Sequence, residues 1–255
     1  MGRRQVPTRP DYIKWLLLVG AAALVLLAGA YLAWRYIIMP HSVNVDRYRY
    51  PVAGIDVSKH NGDIDFEQVK DDDYQFVFIK ASEGKTYQDD AFGRNYDRAR
   101  DAGLKVGAYH FFRKNRTGEE QAENFLSVVR GRNLDLPLVI DLEDDWGNGA
   151  TTSRETALKR VMKMIQLLEE KGYSVMIYTN LDGFNKYYTN MAVDCDLWLC
   201  SFTSPDLLSN MPHRFQQFSH EGTVNGVGGK VDLNVFRGTK GEWNSYLDHV
   251  KQPDK

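Results

Sequence analysis

The chain has 255 residues, of which 43% are hydrophobic and 26% are charged, and its formal net charge is −2. This composition is typical of a globular protein, and the near-neutral charge gives no bias towards nucleic acid. The motifs HExxH, CxxC and GxSxG do not occur, so the sequence gives no support to a zinc hydrolase or a serine esterase.

The N-terminal part contains an uncharged apolar run, Trp15 to Trp34, of the length that crosses a bilayer as a helix. Basic residues are concentrated before this run, and only Arg35 follows it directly. The positive-inside rule therefore predicts a cytoplasmic N-terminus and an exported remainder. An alternative interpretation is a cleavable signal peptide, because Ala28-Gly29-Ala30 resembles a cleavage site, and this interpretation also exports the remainder.

These features predict four segments. They are a cytoplasmic tail over 1–14, a transmembrane signal-anchor helix over 15–38, a linker over 39–50 and a folded domain over 51–255. The predicted location is the cell membrane, crossed once, with the folded domain on the extracytoplasmic side.

Five strands are predicted from β-branched and aromatic runs that are nearly continuously apolar, as in strands covered on both faces. They span Val52–Ser58, Phe76–Ser82, Lys105–Phe112, Pro137–Glu143 and Ser174–Asn180. Helical stretches lie between them, over 65–71, 91–103, 119–131 and 152–172. In the last of these, Thr152 and Glu155 have the spacing of a capping box. The alternation predicts a parallel sheet with right-handed crossovers.

The pattern changes after Asn180, where three strand-like runs follow without a long amphipathic helix between them. They cover 196–202, 214–222 and 230–238. An alternating first part with a strand-rich end favours an α/β fold of the irregular barrel type. No glycine-rich phosphate loop follows the first strand, which argues against a nucleotide-binding fold.

The two cysteines, Cys195 and Cys200, are predicted to be free thiols. In an extended strand their Cα atoms would be about 16 Å apart. A disulfide needs no more than about 7 Å, and a shared metal is equally unfavoured.

Polar side chains gather at the predicted strand ends, where barrels of this type carry their chemistry. The set comprises Asp56, Lys80, Glu83, Tyr109, His110, Asp141, Glu143, Tyr178 and Asn180, with Gln217 and Asp232 from the later strands. Each residue alone also has a structural explanation, such as a turn, a cap or an ion pair.

Asp141 and Glu143 are the strongest pair of this set. Their two-residue spacing points both side chains to one face of a strand, about 7 Å apart along the backbone. Two such carboxylates repel, so one of them should have a raised pKa. A protonated acid beside an ionised one is what glycosidic bond cleavage requires. The other interpretation is a solvated loop, which we expect for the following Asp144 and Asp145.

Six segments, in this order, resemble glycoside hydrolase family 25, the lysozymes of the N-acetylmuramidase type. They are GIDVSKHNGDIDFEQVK, FVFIKASEGKTYQD, FGRNYDRARDAGLKVGAYHFF, LPLVIDLED, VMIYTN and GTVNGVGGKVDLNVF, and they cover about Ala53 to Gly238. The resemblance implies an irregular (β/α) barrel with about five β/α units and three closing strands. It also implies cleavage of the β-1,4 bond between N-acetylmuramic acid and N-acetylglucosamine in peptidoglycan.

The resemblance assigns roles to individual residues. Glu143 matches the general acid of the family's D-x-E motif, and Asp141 and Asp56 match its catalytic aspartates. Asp232 matches the aspartate of V-D-L-N, and Tyr109, Tyr178 and Gln217 would line the sugar site. No metal or organic cofactor is implied. The expected partners are peptidoglycan strands and, through the N-terminal helix, the membrane, with no nucleic acid and a monomeric state.

The chain departs from the family pattern in two places. Gln216-Gln217-Phe218 stands where the family often has WQY, and Trp198-Leu199-Cys200-Ser201-Phe202 replaces W-[VI]-A-[QR]-Y. These changes affect the expected sugar contacts and leave the carboxylates intact. Two other hypotheses stay open at this point: a catalytically silent peptidoglycan-binding scaffold, and a related hydrolase of chitin-like glycans.

Overall fold

The computed structural model describes residues 12–33, 42–143, 151–191 and 194–253. The chain divides into two compact units, Met1–Pro40 and His41–Lys255. In the first unit, helix α1 spans Tyr12–Ala33. Its segment Lys14–Tyr31 has a mean hydropathy of 1.8, so it is long and apolar enough to cross a membrane. Residues 34–38 of the predicted anchor lie outside the described residues.

The second unit is built on a closed, barrel-like sheet of eight strands. These strands are β1 (Ala53–Val57), β2 (Phe76–Glu83), β4 (Lys105–Phe111), β5 (Leu138–Asp141), β6 (Val175–Asn180), β7 (Asp196–Cys200), β8 (Phe215–Gly222) and β9 (Val231–Phe236). A short strand β3 (Tyr87–Gln88) pairs antiparallel with β2. Pairing of β1 with β2 closes the ring, in which β9 runs antiparallel to both of its neighbours and the other adjacent strands are parallel. The predicted α/β barrel is confirmed, whereas the number of β/α units stays a prediction.

The described residues of the second unit form six α-helices. They are α2 (Phe66–Asp71), α3 (Phe92–Asp101), α4 (Gly118–Val129), α5 (Arg154–Glu169), α6 (Leu181–Lys186) and α7 (Lys240–His249). The prediction that Thr152 caps α5 is wrong by one residue, because Ser153 accepts the hydrogen bond from the Thr156 amide. Serine is as good an N-cap as threonine, so the two adjacent candidates compete.

The barrel separates two apolar layers. The outer layer, between the sheet and its helices, includes Ile55, Val106 and Ile165. The inner layer fills the lower part of the barrel and is largely aromatic; its rings include Phe76, Phe78, Trp198, Phe215, Phe236 and Trp243. We call these six rings the aromatic floor. Trp243 belongs to α7, so the last helix of the chain closes the end of the barrel from which the parallel strands start.

Two glycines make room for the floor. A Cβ atom at Gly54 would overlap the Phe76 ring and lie 2.5 Å from the Phe76 carbonyl oxygen. A Cβ atom at Gly107 would overlap Phe78 in the same way. The close packing of β1 and β4 against the aromatic floor therefore requires glycine at both positions.

The described part of the predicted linker lies against the barrel domain. Ser42 pairs with Ser219, and the Val43 amide donates to the Phe218 carbonyl at 3.0 Å. Tyr50 is buried and its hydroxyl donates to Asp206 at 2.7 Å. Residues 42–50 are therefore part of the folded unit, because their apolar side chains pack against its core.

Cys195 and Cys200 are both free and buried, which confirms the prediction made from their spacing. Cys195 directly precedes β7 and Cys200 is its last residue, so the extended strand keeps the two thiols apart.

The close approach at Gly54 yields a test of the barrel wall. We expect Gly54→Ala to lower the free energy of unfolding by about 1–3 kcal/mol or more, because the methyl group must displace backbone as well as a ring. Gly228→Ala is the matched control, since no atom lies within 4 Å of its added Cβ, and it should stay within about 0.5 kcal/mol. Urea unfolding of the full chain in detergent measures both; equal stabilities would contradict the packing described.

Candidate active site

A cavity of about 250 Å³ opens where the parallel strands end, above the aromatic floor. Its lining consists of Asp56, Tyr109, Asp141, Glu143, Tyr178, Trp198, Gln217, His220 and Asp232. All seven residues predicted from the sequence as site residues are in this set. The structure brings them together; their catalytic roles remain predictions.

The alternation of side chains along each strand builds the cavity. On β5, β6 and β8, the inward-facing apolar residues Val139, Met176 and Phe215 are each followed two positions later by a polar residue of the cavity. Because successive side chains of a strand point to opposite faces, a residue two positions on points inward again, one layer higher. The polar cavity is thus the layer directly above the apolar one.

Asp141 and Glu143 both line the cavity, as their spacing predicts. The strand itself is shorter than predicted, because β5 ends at Asp141. Leu142 continues the extended path: its amide donates to the Tyr178 carbonyl at 2.9 Å and its carbonyl accepts from the Thr179 hydroxyl at 2.6 Å. These two bonds fix the backbone of Leu142 at its amide and at its carbonyl. The next residue, Glu143, is half-buried. Asp144 and Asp145 lie outside the described residues.

Asp56 and Asp232 face each other across the β1–β9 pairing. The Gln217 side-chain amide donates to Asp56 Oδ2 at 2.8 Å and to Asp232 Oδ2 at 3.2 Å. Asp56 Oδ2 also accepts from Asn234 Nδ2 at 2.8 Å, and Asn234 Oδ1 accepts from the Trp198 indole at 2.9 Å. The two carboxyl groups therefore share a set of amide donors.

Burial determines the ionisation of this pair. It raises the pKa of Asp56 to about 6, against the opposing hydrogen bonds from Asn234 and Gln217. It raises the pKa of Asp232 to about 8, and the charges of Asp56 and Glu143 add to the effect. Near neutral pH the pair therefore holds one proton, because two ionised carboxylates in contact repel each other.

The two tyrosines of the cavity stay protonated. Burial, followed by the neighbouring carboxylates or the Cys200 thiol, raises the pKa of Tyr109 and of Tyr178 well above 10. The Tyr178 hydroxyl donates to Gln217 Oε1 at 2.7 Å. Both phenols are thus available as neutral hydrogen-bonding groups.

Three residues of this network were not predicted as site residues: Trp198, His220 and Asn234. Asn234 could have been found because it lies two positions from Asp232 on an inward-facing row, and Trp198 because it stands in the segment compared with the family's W-[VI]-A-[QR]-Y. His220 could not, because it lies three positions after Gln217, which regular alternation would place on the other face. The pairing of β8 with β9 shifts register between Gln217 and Ser219 and again before Gly222, and this irregularity brings His220 to the cavity.

Four other strand-end residues lie outside the cavity lining. Lys80 and Glu83 form an ion pair at 2.8 Å, and Asn180 caps α6. His110 is buried on the outer face of β4, in contact with Ser82 and with Gln121 of α4. Burial lowers its pKa to about 4, so this histidine is a neutral core residue.

Comparison with known proteins gives the family. The model of glycosyl hydrolases family 25 matches residues 55–227. Lysozyme M1 of Streptomyces globisporus is 35% identical over 203 residues, which are 74% of this chain and 68% of that protein. The chain belongs to glycosyl hydrolase family 25. It is a glycoside hydrolase, and the resemblance predicted from its motifs is confirmed.

Two further relatives of this family 25 hydrolase support the assignment. The autolytic lysozyme of Clostridium acetobutylicum is 34% identical over 185 residues, which are 72% of this chain and 56% of that protein. A family 25 glycosyl hydrolase structure from Bacillus anthracis superposes with a TM-score of 0.73 at 34% identity, covering 81% of this chain and 97% of that one. The barrel is thus shared nearly whole with a solved member of the family.

The raised pKa values of the aspartate pair predict how the stability of the hydrolase depends on pH. Unfolded aspartates titrate near about 3.9, whereas the folded pair titrates at about 6 and about 8. Between these limits the folded state binds more protons than the unfolded state, so its free energy of unfolding falls as pH rises.

We expect Asp232→Asn to flatten this dependence, because the buried group no longer has a proton to lose. From pH 5 to pH 8 the wild type should lose at least about 1 kcal/mol more than the variant. The comparison uses urea midpoints in detergent, with Asp248→Asn, an exposed position on α7, as the control. An identical slope in wild type and Asp232→Asn would show that the pair is not protonated in the folded state.

Proposed function

We propose that this hydrolase is a lysozyme that cleaves the β-1,4 bond between N-acetylmuramic acid and N-acetylglucosamine in peptidoglycan. The observation that carries the proposal is the convergence of Asp56, Asp141, Glu143 and Asp232 in one cavity of a family 25 barrel. Relatives by sequence bear the names lysozyme and N,O-diacetylmuramidase.

Glu143 is the general acid of the proposed reaction. It is half-buried at the cavity wall, where water and substrate can both reach it, and other carboxyl groups surround it. In the proposed role Glu143 holds a proton when the substrate binds. That proton passes to the glycosidic oxygen as the oxocarbenium-like transition state develops on the sugar.

Asp141 is the partner carboxylate. It is buried at the end of β5, in the same wall as Glu143. Two routes use it: it steadies the ring formed when the sugar's 2-acetamido group attacks, or it activates a water molecule directly. Proton NMR of the fresh product separates them, because the first route retains the anomeric configuration and the second inverts it.

The remaining polar groups hold the sugar. Tyr109 and Tyr178 supply neutral hydrogen-bonding groups to the sugar, and Gln217 orients the Asp56–Asp232 pair, which holds one proton and one negative charge close to the reacting sugar. A negative charge at this place stabilises the positive charge that develops on the sugar ring.

We expect Glu143→Gln to reduce the release of muropeptides by about 100- to 10,000-fold, which is the range for the loss of a general acid. Full-length protein in detergent is incubated with purified peptidoglycan, and products are reduced with borohydride and identified by mass spectrometry. Glu170→Gln is the control, at the far end of α5 from the cavity.

Each outcome has a consequence. Muramitol at the new reducing end identifies the bond as proposed, and glucosaminitol would contradict it. Binding to peptidoglycan without any product would favour the scaffold hypothesis. Equal turnover of chitooligosaccharides and peptidoglycan would favour the hydrolase of chitin-like glycans.

We further propose that α1 anchors the enzyme in the cell membrane with the barrel on the extracytoplasmic side. The support is the length and apolarity of Lys14–Tyr31 and the basic residues before it. Mass spectrometry of the mature N-terminus in the native host tests this. A mature chain that starts just after Ala30 would contradict the anchor and indicate a signal peptide.

A further inference from the structure

We propose that His220 is a positioning residue that holds the Gln217 side chain in the orientation that serves the Asp56–Asp232 pair. The inference rests on the proposed function only in giving that pair a part in the reaction. The position of His220 is defined by its contacts with Gln217, Cys200 and Phe202.

The Gln217 amide is almost completely buried, and its hydrogen-bonding capacity is fully used. Its oxygen accepts from the Tyr178 hydroxyl at 2.7 Å and lies 2.8 Å from His220 Nε2. Its nitrogen uses one hydrogen towards Asp56 and the other towards Asp232. An amide has two acceptor sites and two donor hydrogens, so this one has no capacity left.

The chemistry of the neighbours determines which way the amide points. Rotation by half a turn would place its oxygen against Asp56 and Asp232, which share one proton, so at least one of the two contacts would be repulsive. With the nitrogen towards the acids, the oxygen faces Tyr178 and His220 and needs donors from both. His220 Nε2 therefore carries a hydrogen, in the neutral ring as in the charged one.

The His220 ring is exposed at the rim of the cavity and has two further contacts there. Phe202 packs edge-to-face against it at 4.7 Å between ring centres. The Cys200 sulfur lies 3.6 Å from Nε2, and burial raises the thiol pKa far above neutrality, so this neighbour is an uncharged, weaker partner.

His220 thus acts through Gln217. Tyr178 alone can hold one acceptor site of the amide, and loss of the second donor lets the amide swing away from the acids. The expected result is a slower chemical step with little change in substrate affinity.

The test compares three variants of the full chain in detergent: His220→Phe, which keeps a ring and removes the donor, His220→Gln, which restores a donor, and His249→Phe, the same change at an exposed histidine of α7, as the matched control. Selective ¹⁵N-glutamine labelling gives the exchange rate of the Gln217 side-chain hydrogens with water, assigned through Gln217→Glu. Steady-state kinetics on soluble glycan strands gives kcat and KM separately, and circular dichroism checks folding.

We expect His220→Phe to exchange the Gln217 hydrogens about tenfold faster and to lower kcat about five- to tenfold, the size of one neutral hydrogen bond, with KM within about twofold. His220→Gln should recover most of both effects, and His249→Phe should match wild type. Unchanged exchange in His220→Phe would overturn the proposal, and so would a rise in KM at constant kcat, which would make His220 a direct substrate contact. Because exchange is measured without substrate, it decides the role of His220 even if the wild type cleaves no peptidoglycan.

Discussion

The two-residue alternation of side chains around a closed barrel is the constraint on which the rest of this structure depends. Closure turns one side of every strand into a shared interior, and the interior has a filled lower layer and a polar upper one. The stacking of Phe78 on Trp198, with ring centres 4.4 Å apart, is at the centre of the filled layer. The same indole donates to Asn234 and so reaches the Asp56 carboxyl through a single amide. The same residue, Trp198, therefore packs the aromatic floor and helps to position the Asp56 carboxyl above it.

Carboxyl groups gathered on such a floor are costly. Removing an ionised carboxylate from water costs several kcal/mol unless hydrogen bonds and a shared proton reduce the penalty. Asn234 and Gln217 supply the hydrogen bonds, and the Asp56–Asp232 pair shares the proton. What remains of the cost is tolerated in the folded state, as is common where an active site and stability make opposite demands.

Much of the fold and the site could be predicted from the sequence, because both follow from short-range periodicity. Apolar runs separated by capped helices indicate the strands, and inward-facing polar residues near the ends of several runs fall into the cavity, as with Asp56, Tyr109 and Asp141. The predictions were less successful where that periodicity breaks. Strand β8 changes register, and His220 reaches the cavity from a position that alternation assigns to the other face.

Local competition explains the other differences. Ser153 and Thr152 are adjacent and equally suited to cap α5, so the sequence alone does not choose between them. Helices α6 and α7 were missed because one has only six residues and the other has few apolar side chains. Helix α7 is stabilised by Trp243 packing into the barrel, a tertiary contact with no local signal.

The position of α7 and β9 has a consequence for the order in which the protein can fold. Strand β1, at the start of the barrel domain, pairs with β9 near its end, and Trp243 closes the floor only afterwards in the chain. A chain emerging from the ribosome or crossing a membrane therefore exposes an open sheet edge at β1 until its last strand arrives. Pairings between such distant segments form slowly and leave apolar edges unprotected meanwhile. The barrel of this hydrolase therefore stays incomplete until β9 has been synthesised and has paired with β1.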